Sequence, residues 1–262
     1  MNTTKYLARI GFTGRTEINF QVLSSLQKQH LLHVPFENLD IHRRVPVVPE
    51  NSYRKIGEGH RGGFCYELNS AFQTLLSDIG FVSFLISGRV YDSEKKGFGP
   101  EFDHMAIVVE LDEALYLVDV GFGEFCFHPL KIECGIVQTD PRGKYKIQQE
   151  EGTSLLVGKQ TVQGYKPEYM FSLKPRAVHD FQEMCVFHQT SPASHFTQKR
   201  ICSLPREEGR VSLTGNTLKI TNNGDSKIRR LHSEAEVHKV LNDYFGIQFD
   251  FITENCGRDT RC

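Results

Sequence analysis

A thiol, an imidazole and a carboxylate together can make an acyl-transfer nucleophile, and this chain of 262 residues sets Cys65, His104 and Asp119 where that chemistry is possible. Cys65 follows Arg61, Gly62, Gly63 and Phe64. It opens an apolar series at Leu68, Ala71, Phe72, Leu75, Leu76 and Ile79 that recurs at helical spacing and stops at Gly80. The cysteine therefore stands where a glycine turn enters a helix. Unpaired amides and the positive end of the helix dipole favour a thiolate there, which predicts a lowered thiol pKa and a nucleophilic sulfur. The same place suits a small buried hydrophobe equally well, and position alone does not separate the two.

A base decides between them. From Phe81 the apolar period changes to two, through Val82, Phe84, Ile86 and Val90. Two β-branched runs, His104–Leu111 and residues 114–120, then flank Asp112 and Glu113. If those two residues are the whole turn, Leu111 faces Ala114 and Ala106 faces Asp119, so His104 and Asp119 become diagonal neighbours on one sheet face. A slip of one residue would separate them. Alone they read as an ordinary cross-strand polar pair. With Cys65 the roles become complementary: Asp119 holds one ring nitrogen of His104 protonated, and the other takes the Cys65 proton. Backbone amides near Cys65 are the natural oxyanion donors.

The elements that must position these groups fall in three stretches. Ile18, Val22 and Leu26 after Thr16 predict a helix over residues 16–29, which with the Cys65 helix makes a helical first third. Weaker strand signals at 145–148, 154–158 and 169–173 predict a central antiparallel sheet or small barrel. In the last third, Asp180 with Glu183 and Ser233 with Glu236 read as capping boxes. Val211 to Ile220 around Gly215 and Asn216 spells a hairpin, and Gly246 closes a final helix. The tail after Phe251 reads as loosely ordered.

Composition narrows the function classes. With 39% hydrophobic and 24% charged residues, 22 Gly and 10 Pro, the chain is globular and needs no staples at this length. A formal net charge of −1 argues against nucleic acid or anionic lipid as partner. No run approaches the roughly 18 apolar residues of a membrane span, and the first residues lack a signal peptide's apolar core. Seven scattered cysteines without CxxC pairs read as thiols. The expected location is the cytoplasm.

The residues around the three groups resemble a known family. RGGFCYELN at 61–69, VPFENLD at 34–40, HM at 104–105 and VDVGFG at 118–123 are similar to the arylamine N-acetyltransferases, and a weaker likeness runs through DFQEMCVFHQTSPASHFTQKRICSLP at 180–205. The order of Cys, His and Asp is also that of papain-like and transglutaminase-like enzymes. The resemblance implies an α+β fold with a cysteine-protease-like catalytic core. Its parts would be a helical bundle over 1–83 carrying the nucleophile, an antiparallel β-barrel over 84–179 carrying His104 and Asp119, and an α/β lid over 180–262. It further implies a catalytic triad of Cys65, His104 and Asp119 and a ping-pong reaction. Acetyl-CoA, a co-substrate and not a bound cofactor, acetylates Cys65, and an arylamine or arylhydrazine then takes the acetyl group; no metal is required. Phe36, Val90 and Phe122 match acceptor-pocket positions. Gly121, Gly123, Thr190, Ser191 and Ser194 match positions near CoA. The chain lacks a long insertion between its second and third parts and the tail of vertebrate relatives, which implies a bacterial-type enzyme with a more open cleft.

Three other readings stand beside this one. An amide synthase of the same fold would take its acyl chain from a carrier protein. A cysteine hydrolase or transglutaminase-like enzyme would need only the triad, and would leave VPFENLD without a reason. A metal-stabilised interaction module would use Cys126 with His128 or Cys185 with His188, although paired ligand sets at zinc spacing are absent.

Overall fold

A computed structural model describes residues 2–249, so the tail after Phe251, with Cys256 and Cys262, lies outside the described residues. The chain opens with α1 (Thr3–Arg9), α2 (Phe20–His33), the two-residue β1 (Phe36–Glu37), α3 (Leu39–His42), α4 (Ser52–Gly57) and α5 (Cys65–Ile79). The second helix starts four residues later than Thr16 suggests, because Asn19 and not Thr16 caps it: its Oδ1 accepts the Val22 N–H at 2.9 Å. Ile18 is left exposed before the helix begins. The Cys65 helix matches its expected range and ends at Gly80 with φ +111°.

A nine-stranded antiparallel sheet follows: β2 (Val82–Asp92), β3 (Gly97–Phe98), β4 (His104–Leu111), β5 (Ala114–Val118), β6 (Leu130–Lys131), β7 (Val137–Asp140), β8 (Gly143–Gln149), β9 (Leu155–Thr161) and β10 (Gly164–Phe171). Its order is β6-β5-β4-β2-β10-β9-β8-β7, with β3 on β2. The sheet curls into a nearly closed barrel. The terminal strands β6 and β7 share no ladder, but the Gln138 side chain spans the seam. Its Oε1 accepts the Lys131 N–H and its Nε2 donates to the Lys131 carbonyl, both at 2.8 Å, so a side-chain amide stands in for a strand edge. Asp112 and Glu113 both have positive φ and make the two-residue turn, with Leu111 opposite Ala114.

Strand β4 is buried on both faces, which explains its unbroken apolar run. Met105, Ile107 and Val109 pack with α5 and the other helices, whereas Ala106 and Val108 pack inside the barrel with Tyr145, Val157 and Tyr169. His104, even-numbered like Ala106 and Val108, lies on their face of the strand.

The last third contains α6 (Gln182–Thr190), α7 (His195–Gln198), β11 (Ile201–Arg206), β12 (Gly209–Thr214), β13 (Thr217–Asn222), β14 (Asp225–Arg230) and α8 (Glu234–Phe245). The strands form a meander ordered β1-β11-β12-β13-β14, so the first third lends β1 to this sheet, with Phe36 opposite Ser203. The hairpin around Gly215 and the Ser233 cap fall where expected. Asp180 differs. It sits inside a 3₁₀ turn, Val178–Phe181, and accepts the Ala177 N–H at 2.9 Å, so it closes the turn ahead of α6 and does not cap that helix from in front.

Candidate active site

The turn before α5 is built by close approach. A Cβ on Gly62 would stand 1.8 Å from the Pro35 carbonyl oxygen, so only glycine lets residues 61–64 lie against the Pro35–Phe36 backbone. The chains are joined there by the Glu37 N–H donating to the Gly63 carbonyl at 2.8 Å. At the helix start the Phe64 N–H donates to Glu67 Oε2 at 3.2 Å. Beneath lies a charged cluster in which Lys55 contacts Asp40 and Glu67, each at 2.8 Å, and Arg61 contacts Glu37 at 2.7 Å and Asp40 at 2.9 Å. Three carboxylates face two cations, and burial pushes the Glu67 carboxyl up to about 7.

His104 and Asp119 meet as the register requires. Nε2 of His104 lies 2.7 Å from Oδ2 of Asp119, and both residues are buried. Asp119 is surrounded by donors. Its Oδ2 also accepts the Tyr169 hydroxyl at 3.0 Å, and its Oδ1 accepts Asn69 Nδ2 at 3.0 Å and the Gly121 N–H at 2.9 Å. Four donors on two oxygens leave the carboxylate as acceptor only, so Nε2 of His104 carries the proton and Nδ1 is the lone-pair nitrogen. The Phe122 ring packs edge-on against His104 at 5.1 Å and fixes the imidazole from another side.

Cys65 and His104 open on one cleft of about 340 Å³, lined also by Phe36, Val90, Gly121, Phe122 and Gly123. Asp119 stands behind the imidazole, outside that lining. Gly121 has a specific reason to be glycine: a Cβ there would stand 2.8 Å from the Cys65 Cα and 2.6 Å from Asn69 Nδ2. The loop after β5 thus packs directly on the cysteine. Burial pushes the Cys65 thiol well up, and the carboxylates of Asp103 and Asp119 push the same way. Loss of hydration opposes the pull of the helix end toward the thiolate, so ionising the sulfur calls for a base such as His104.

Thr190, Ser191 and Ser194 are not part of the cleft lining. Thr190 borders a separate groove of about 560 Å³ together with residues such as Val47 and Val186. Ser191 Oγ accepts the Ala193 N–H, and Ser194 Oγ bonds His188 Nδ1 at 3.0 Å. The two candidate metal pairs are engaged otherwise. His128 Nδ1 lies 2.7 Å from Ser24 Oγ, and both nitrogens of His188 are bonded, to Ser194 and to Asp103. Sequence reading gave no site role to Asn69, Tyr169, Asp103, His195 or Phe196, and set His188 only in a metal pair with Cys185. Asn69 had a signal: it lies four residues after Cys65, on the same face of the helix. Asp103 directly precedes His104, whereas Tyr169, His195 and Phe196 are brought in by contacts between distant segments.

Comparison with known proteins agrees with this geometry. The family model described as N-acetyltransferase matches residues 19–253. Human arylamine N-acetyltransferase 1 is 30% identical, over 94% of each chain. The solved arylamine N-acetyltransferase of Mycobacterium smegmatis has 30% identity and a TM-score of 0.86, covering 95% of this chain and 93% of that one. The Mycobacterium marinum enzyme, solved in complex with CoA, has 30% identity and a TM-score of 0.84, covering 94% and 93%. A helix-borne cysteine, the barrel that faces it and a likeness spanning nearly the whole chain lead to one conclusion: this chain belongs to the arylamine N-acetyltransferase family.

Proposed function

We propose that the protein moves an acetyl group from acetyl-CoA, through a thioester on Cys65, to an aromatic amine or hydrazine. The observation that carries this reading is the shared cleft of Cys65 and His104, with His104 Nε2 held 2.7 Å from Asp119. His104 Nδ1 takes the thiol proton, and the sulfur attacks the acetyl carbonyl. The carbon–sulfur bond to CoA breaks, and His104 returns the proton to the departing CoA thiolate. In the second half the amine attacks the thioester, His104 receives an N–H proton, and that proton passes to the leaving Cys65 sulfur. Both halves develop an oxyanion, for which backbone amides near Cys65 are the natural donors.

Asp119 stabilises the imidazolium formed in each half and fixes its tautomer. Phe36, Val90 and Phe122 give the acceptor ring apolar area and aromatic edges. Gly123, with no atom near its Cβ position, leaves room at the cleft for the thioester arm of the donor, and Gly121 lets the loop beside it pack on Cys65. The five cysteines among the described residues are all free thiols, which supports a reducing cytoplasmic location. None of the described helices is long and apolar enough to cross a membrane. The test is steady-state kinetics with acetyl-CoA and an arylamine: parallel double-reciprocal lines are expected, and intersecting lines would contradict an acetyl-enzyme path.

A further inference from the structure

The cleft lining holds one carboxylate, and no step of acetyl transfer uses it. Asp103 lies beside Cys65 and His188 in that lining. Its Oδ1 accepts from His188 Nε2 at 3.1 Å, while His188 Nδ1 lies 3.0 Å from Ser194 Oγ. Ser194 Oγ also accepts the Phe196 N–H at 3.3 Å, and His188 Nε2 donates to the Asp103 carboxylate. With both nitrogens engaged, His188 is a positioning residue for the carboxylate and has no lone pair left for base catalysis. His195, the next imidazole in the lining, is shifted by burial toward its neutral form and stacks 3.9 Å from the Phe196 ring.

The backbone of Asp103 is fixed as well. The Tyr66 hydroxyl donates to the Phe102 carbonyl at 2.7 Å and the Asp103 carbonyl at 3.3 Å. Phe102, at φ +66°, donates its N–H to Ser87 Oγ at 2.8 Å. The Asp103 side chain keeps 18% of its surface open. A held, partly open carboxylate at this place works against ionising Cys65, so its use lies elsewhere in the cleft.

We propose that Asp103 is a specificity-determining residue: its carboxylate favours neutral or cationic aromatic amines and hydrazides that can donate an N–H to it, and disfavours acceptors carrying a ring carboxylate. This rests on the acceptor reading above for its substrate class, but the charge itself is measurable without acetyl transfer. The experiment alkylates Cys65 with iodoacetate and with iodoacetamide, followed by peptide mass spectrometry. Wild type is compared with Asp103→Asn, Asp103→Ser and Asp103→Glu. The ratio of the two rates cancels the thiolate fraction and reads the field at the sulfur. Removing the charge should raise the iodoacetate-to-iodoacetamide ratio by about tenfold in the Asn and Ser variants and leave it at the wild-type value in the Glu variant. An unchanged ratio in the uncharged variants overturns the proposal.

A second measurement needs only wild type. Its kcat/KM should favour 4-aminobenzamide over 4-aminobenzoate by about tenfold or more, and a preference for the benzoate overturns the proposal even if no variant folds. Should the alkylation ratio shift while no amine is acetylated, the charge at Asp103 stands and the acetyl-transfer function is what fails.

Discussion

Asn69 Nδ2 donates to Asp119 Oδ1 at 3.0 Å, which ties the helix carrying Cys65 to the carboxylate behind His104. The same amide donates to the Met105 carbonyl at 2.6 Å, and its Oδ1 accepts the Val120 N–H at 3.0 Å. One buried side chain therefore joins α5, β4 and the loop after β5. Asn69→Ala would leave a backbone donor, a backbone acceptor and a carboxylate oxygen short of partners. The expected loss is about 2–4 kcal/mol in urea unfolding, with a kcat reduction of tenfold or more.

Asp119→Asn tests the tautomer. The introduced NH₂ must face groups that now donate, either His104 and Tyr169 or Asn69 and Gly121. With the NH₂ toward His104 the imidazole loses its acceptor or turns its lone pair away from Cys65; with the NH₂ toward Asn69 and Gly121 it keeps an acceptor but loses the negative charge that stabilises the imidazolium. The rate of Cys65 acetylation should fall by about 10³–10⁴ in rapid-mixing experiments. Tyr169→Phe removes one of four donors and should cost much less. Equal losses in the two variants would show that the carboxylate has no special part.

Stability should depend on Glu67. The folded carboxyl, near 7 against an ordinary 4.5, holds its proton more tightly than the unfolded chain does. Its contribution is therefore complete below about pH 4.5 and is lost as pH rises through about 7. Unfolding free energy should fall by on the order of 2 kcal/mol across that window, and Glu67→Gln should flatten the fall. Unfolding measured from pH 5 upward in both proteins checks this.

Gly121→Ala should disturb the cysteine and spare the fold. The added methyl would press on the Cys65 Cα and on Asn69 Nδ2. Acetylation of Cys65 should slow by tenfold or more, while the far-UV spectrum keeps its form and the midpoint of unfolding drops by a few degrees. Gly123→Ala is a useful comparison: no atom lies near its Cβ position, and its cost comes from φ +80° alone.

Much of this site is legible in the chain because its parts obey local rules. The apolar stripe from Leu68 to Ile79 and the stop at Gly80 set α5, and therefore the place of Cys65. The two-residue turn at Asp112 and Glu113 sets the register that brings His104 to Asp119. Local rules also mislead where two candidates compete, as at Thr16 and Asn19, since either side chain can cap and only the folded contact decides. Tyr169 is further out of reach. It meets Asp119 through the pairing of β10 with β2, a contact between segments far apart that no short-range pattern encodes. The push of burial on the Cys65 thiol is out of reach for a related reason: the helix end is visible in sequence, but the depth at which the sulfur is buried is not.

The most direct test is intact-protein mass spectrometry after brief exposure to acetyl-CoA with no acceptor present. The wild-type protein should gain one acetyl group, mapped to Cys65 and removed by an added arylamine as the N-acetyl product, and Cys65→Ser should gain none under the same conditions. A wild-type protein that stays unacetylated, or an acetyl group that survives in Cys65→Ser, would contradict the thioester at the centre of this mechanism.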